Sequence, residues 1–254
     1  MDLGLDGRVY IVTGASRGLG AATALALAAE GARLVLCSRD QSSLDALAAQ
    51  IGDAERVISV PGDLADDSLA SRLCGAAIGR FGRLDGTVIS VGGPPPGGTA
   101  DVTDAQWRGA FESVFLGPLR LARAVVEATT IEGSSILFVL STSVRAPVPG
   151  LASSNGLRPG LAMLAKTMAD EGGSRGVRVN ALLPGRIDTA RVRELDDATG
   201  RAVSARRDNE AAIPLGRYGQ PDEFARIAAF VLSPAASYLT GTAIPVDGGS
   251  TRGL

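Results

Sequence analysis

Short, almost continuously apolar runs alternate with longer alanine-rich stretches along nearly the whole chain. Residues 9–12, 34–36, 57–60, 88–91, 136–140, 177–182 and 242–246 are too short and too uniformly apolar for surface helices, and suit strands covered on both faces. Between them, helical composition fills residues near 18–30, 41–51, 66–80, 104–130, 153–173 and 221–232. This alternation predicts an α/β fold: a doubly wound, seven-stranded parallel sheet with right-handed crossovers and helices on both faces. Glycine or proline punctuates most junctions. No linker, repeat or low-complexity tract divides the 254 residues, so residues 1–254 are expected to form one domain. A chain of this length can bury roughly three quarters of its unfolded surface.

Charge excludes some partners. The 25 basic and 27 acidic residues nearly cancel, so nothing electrostatic favours nucleic acid or a membrane surface. There is no histidine, which removes imidazole catalysis and histidine metal sites, and no metal is expected. Cys37 and Cys74 stand alone, as in a reducing cytoplasm. The N-terminus has no basic region followed by an apolar run, so no secretory signal is expected. The uncharged run 21–29 is far too short to span a bilayer.

The first strand runs into Thr13-Gly14-Ala15-Ser16-Arg17-Gly18-Leu19-Gly20. A strand, tight turn and helix of this kind turns backbone N–H groups and a helix N-terminus toward a pyrophosphate. Gly14 and Gly18 would allow close backbone approach, and Gly20 close packing of helix on sheet. After the second strand, an acid would select NAD by accepting the ribose hydroxyls. This chain has Cys37-Ser38-Arg39 instead, with Arg17 in the glycine-rich turn. Two arginines and no carboxylate suit the 2′-phosphate of NADP(H).

Taken with Asp63-Leu64, the segment 180–189 containing Pro184-Gly185, and Asp247-Gly248-Gly249, that turn resembles the short-chain dehydrogenase/reductase family. The similarity is greatest to 3-oxoacyl-carrier-protein-reductase-like members and runs from about residue 6 to residue 250. It implies a Rossmann fold, with Asp63 and Leu64 at the adenine and Pro184, Gly185, Ile187 and Thr189 at the nicotinamide. Gly92 ends Ile89-Ser90-Val91-Gly92, which stands where the family has Asn-Asn-Ala-Gly. A mobile lid is implied over 190–213, and a homotetramer built through the helices 104–130 and 153–173 and the last helix and strand.

The resemblance also implies a carbonyl-polarising serine, filled by Ser141 with Ser143 close by. Three other positions depart from the family. Its tyrosine is Ser154, its lysine is Arg158, and its helix asparagine is Val114. Arg158 keeps a positive charge and could hold the ribose, and Asn155 offers one more donor. A serine hydroxyl is a far poorer acid than a phenol, so ordinary ketones would be reduced slowly. Three functions remain open: an NADP(H)-dependent oxidoreductase of a small carbonyl or acyl thioester substrate, a cofactor-binding protein without turnover, and a non-redox isomerase or lyase. In the lid, Arg191, Arg193, Arg201, Arg206 and Arg207 face Glu194, Asp196, Asp197, Asp208 and Glu210, a balance expected of a self-neutralising helical pair.

Overall fold

All five side chains of Val9–Thr13 (β1) are buried, which requires cover on each face of the sheet that carries it. The computed structural model describes residues 2–129, 133–197, 200 and 202–253. Thr130 and Arg201 lie outside the described residues. The further strands are Arg33–Cys37 (β2), Val57–Ser59 (β3), Gly86–Ile89 (β4), Ser135–Val139 (β5), Arg178–Pro184 (β6) and Ala243–Val246 (β7). Among the described residues they form one parallel sheet in the order β3-β2-β1-β4-β5-β6-β7.

The helices are Gly18–Ala29 (α1), Gln41–Ile51 (α2), Leu69–Phe81 (α3), Asp104–Ala110 (α4), Gly117–Ala128 (α5), Ala152–Gly172 (α6), Ala190–Asp197 (α7), Ala202–Ala212 (α8) and Pro221–Leu232 (α9). On one face Leu73 of α3, Leu121 of α5 and Leu161 of α6 pack with Ile11 and Phe138. On the other, Leu27 of α1, Leu44 of α2 and Phe224 of α9 pack with Tyr10, Leu34 and Leu137. The order reverses between β1 and β4. The crevice beyond the carboxyl ends of the strands at such a switch point is where ligands bind in doubly wound folds.

Most element ends shift by a residue or two from expectation, and three of the differences have a clear physical reason. β4 covers Gly86–Ile89 rather than 88–91, because Ser90 is clamped to Thr13: its N–H donates to Thr13 Oγ1 (3.0 Å), which donates back to the Ser90 carbonyl (2.8 Å). α3 starts at Leu69 rather than near 66, since Asp66 forms a turn by accepting the Ser68 N–H (2.9 Å). The expected helix 104–130 is broken by a π-helical turn at Phe111–Leu116. Pro118 has no N–H for the Val114 carbonyl, and the wider turn absorbs the missing bond.

Candidate active site

The glycine-rich turn is built by contact. Gly14 has φ +61°, and a Cβ there would fall 2.7 Å from the Ser90 carbonyl. A Cβ at Gly20 would lie 2.3 Å from the Gly14 carbonyl, so the first turn of α1 packs on the loop before it. That cradle, at the unpaired N–H groups of a helix start, fits a pyrophosphate. It opens on a cleft of about 1120 Å³ lined by Ser16, Arg17, Gly18 and Leu19 together with Gly14. Gly20 stays behind the lining as a packing residue.

At one end the cleft is lined by Ser38, Arg39, Asp63 and Leu64. The nearest acid after β2, Asp40, does not line the cleft and is committed to capping α2. Its carboxylate accepts from the Ser43 N–H (3.1 Å) and from the hydroxyls of Ser42 and Ser43. Those hydroxyl bonds hold its carboxyl below the ordinary range. Ser38 Oγ donates to the Asp40 carbonyl (3.1 Å). Arg39 is largely exposed, 3.9 Å from Asp63. Burial pushes the Cys37 thiol up to about 12, which leaves it unreactive.

The opposite end gathers Ser141, Ser154, Arg158, Pro184, Gly185, Ile187 and Thr189, with Gly92 and Val114 also on the wall. Ser141 follows β5 and caps a short 3-10 turn, accepting the Ser143 N–H (3.1 Å). Ser143 does not line the cleft; its Oγ lies 3.3 Å from Ser154 Oγ, both buried. Ser154 and Arg158 are one turn apart on α6 and so share a face. Arg158 Nη1 donates to the carbonyls of Val139 and Leu140, 3.0 Å each. Burial lowers its guanidinium to about 10, so it remains charged at neutral pH.

Asn155 is placed differently from the expected substrate donor. Its Oδ1 accepts the Val148 N–H (3.0 Å) and its Nδ2 donates to the Val148 carbonyl (2.9 Å). It is absent from the cleft wall and fixes the loop before α6. No tyrosine lines the cleft either. Tyr10 OH donates to the Leu232 carbonyl (3.3 Å), Tyr218 OH to Asp196 (2.9 Å), and Tyr238 is fully exposed.

The charges of α7 and α8 are mostly neutralised. Arg206 bonds Asp188 (3.1 Å) and Glu210 (2.9 Å), Arg193 pairs with Asp188 (3.4 Å), and Arg186 with Asp196 (2.9 Å). Two contacts tie α7 across the cleft: Arg17 to Glu194 (3.0 Å), and Arg191 Nη2 to the Pro94 carbonyl (3.1 Å). Sequence reasoning counted Arg191 only as a surface charge. The signal was the bare Gly93 opposite, where a Cβ would come 2.7 Å from Arg191 Nε.

A family model described as enoyl-(acyl carrier protein) reductase matches residues 14–251. The chain belongs to the short-chain dehydrogenase/reductase family. An uncharacterised oxidoreductase of Mycobacterium tuberculosis is 38% identical over 97% of this chain and 93% of its own length. A short-chain dehydrogenase/reductase structure from Brucella melitensis superposes with TM-score 0.93 at 30% identity, covering 100% of both chains. L-sorbose reductase from Gluconobacter frateurii, complexed with NADPH and L-sorbose, gives TM-score 0.94 at 28% identity, again over 100% of both. This short-chain dehydrogenase/reductase is thus an oxidoreductase-family protein with a nicotinamide cofactor cleft and small-molecule substrates. Among the described residues no helix is long and apolar enough to cross a membrane.

Proposed function

We propose that the chain is an NADP(H)-dependent oxidoreductase of carbonyl or hydroxyl substrates, 3-oxoacyl thioesters included, in which Ser154 and Arg158 replace the family's tyrosine and lysine. The observation that carries this reading is the convergence of Ser141, Ser154 and Arg158 at one end of a cleft whose other end holds Arg17 and Arg39. A bound nicotinamide dinucleotide supplies the hydride and its two electrons. Arg39, Ser38 and Arg17 hold the 2′-phosphate, and the run Cys37-Ser38-Arg39 at the end of β2, with no acid facing the cleft from that strand end, favours NADP(H) over NAD(H). The NADPH in the sorbose reductase complex supports the same choice.

Ser141 and Ser154 donate to the substrate oxygen, and Ser143 orients the Ser154 hydroxyl from behind. Arg158 stabilises the negative charge that develops there. Solvent supplies the proton that the family takes from a phenol, at a cost of about 10²–10⁴ in rate. Residues 1–254 act as one cytoplasmic domain, with 190–213 as the lid. Phe111 and Met163, both exposed, extend the faces of the 104–130 and 153–173 segments that would pair in a homotetramer.

The loss of tyrosine, lysine and asparagine together favours a second reading, cofactor binding without turnover. NADPH oxidation against a carbonyl panel separates the two. The first reading expects slow turnover that Ser154→Ala removes while NADPH still binds. Tight NADPH binding with no turnover supports the second, and turnover without NADPH would point to an isomerase or lyase.

A further inference from the structure

Arg158 is only 6% exposed, yet among the described residues it has no acidic partner. Its two hydrogen bonds are both made by Nη1, to the carbonyls of Val139 and Leu140. Among the described residues Nε and Nη2 have no hydrogen-bond partner, and no carboxylate lies within ion-pairing distance. A buried charge is ordinarily paired. The described cleft wall does not supply the missing charge: its sole acid is Asp63, at the far end beside Arg39. Ser141 follows Leu140 directly and Ser154 lies one helical turn before Arg158, and all three line the same cleft.

From this unbalanced cation we infer that the substrate brings an anion: a carboxylate close to the reacting carbonyl, held by the free edge of Arg158, which leaves the Ser154 and Ser141 hydroxyls to the carbonyl oxygen. This rests on the reading of the cleft as a nicotinamide site and narrows its substrates to oxo acids or the corresponding hydroxy acids. A guanidinium edge presents paired N–H groups in the geometry of a carboxylate, which a lysine ammonium does not. The replacement of lysine by arginine is then selective. The carboxylate also orients the neighbouring carbonyl, part of what a phenol would otherwise fix. It leaves the site unchanged, so the proposal adds no reactant.

The test is calorimetric titration of the protein saturated with NADP⁺, using 2-oxobutanoate and 3-oxobutanoate, each against its methyl ester. For at least one pair the acid is expected to bind roughly 10–100-fold more tightly than the ester. Arg158→Gln should bring that ratio to about one, and Arg158→Lys should retain part of it, since a point charge remains. Equal binding of acid and ester, no measurable binding of either acid, or a preference that survives Arg158→Gln each overturns the inference. If Arg158→Gln does not fold, the wild-type ratio and Arg158→Lys still decide. Titration of NADP⁺ alone, done first, separates these failures from failure of the nicotinamide reading itself.

Discussion

Two arginines are buried almost equally, Arg178 at 7% and Arg158 at 6% exposure, and among the described residues neither pairs with an acid. Arg178 opens β6 and sends its guanidinium to the end of α9. Nη1 donates to the carbonyls of Val231 (2.8 Å) and Leu239 (3.2 Å), and Nη2 to those of Leu232 and Ser233 (3.0 Å each). The C-terminal carbonyls of a helix carry the negative end of its dipole, so this cation is compensated by the fold. Arg158 sits at the other end of the sheet, with two carbonyls and a free edge toward the cleft. Burial lowers both guanidinium pKa values. The difference lies in whether the fold itself answers the charge, and only at the cleft is the answer left to a ligand.

The sharpest way to break this contrast is stability. Arg178→Met removes four charge-assisted hydrogen bonds, although each carbonyl keeps a second donor, and should cost about 3 kcal/mol in urea unfolding. Arg158→Met loses two hydrogen bonds but also removes an uncompensated buried charge, so its net change should stay within about 1 kcal/mol. Equal losses would make Arg158 a second structural arginine. Restoring the family pattern, Ser154→Tyr with Arg158→Lys, returns a phenolic acid and should raise kcat on neutral ketones by about 10². The same double variant should weaken any preference for oxo acids.

The exposed arginines of the cleft belong between these extremes. Arg39→Ala should weaken NADPH binding about fivefold to tenfold and leave NADH unaffected, read by fluorescence titration, because a solvent-exposed charge is worth little more than 1 kcal/mol. Arg191→Ala, which releases α7 from the Pro94 carbonyl, should change KM about threefold or less with NADPH affinity unmoved. A larger effect would mean that the α7 contact helps assemble the site.

Much of the fold was legible because strands buried on both faces leave unbroken apolar runs. β4 was misplaced by two residues because its end is set by Thr13, 77 positions away from Ser90, a contact no local pattern carries. The π-helical turn was written in Pro118, but helical composition continues on both sides and hides it. At the site, the resemblance to the family pointed to Ser141, Ser154 and Arg158, which line one cleft. Asn155 was misread because sequence adjacency ignores the rotation of about 100° between neighbours on a helix, which turns its amide toward Val148. The free edge of Arg158 could not be read at all, since it depends on where the acids are not.

Two-electron chemistry at this cleft without a phenol is read out by NADPH deuterated at the transferable C4 position, incubated with the protein and a panel of oxo acids, their esters and simple ketones. Mass spectrometry of the products reads slow transfer that absorbance would miss. The expected result is deuterium in a hydroxy product, greatest from an oxo acid, and lost in Ser154→Ala. NADPH bound in the same samples with no deuterium in any product would contradict such chemistry and leave the chain a cofactor-binding protein.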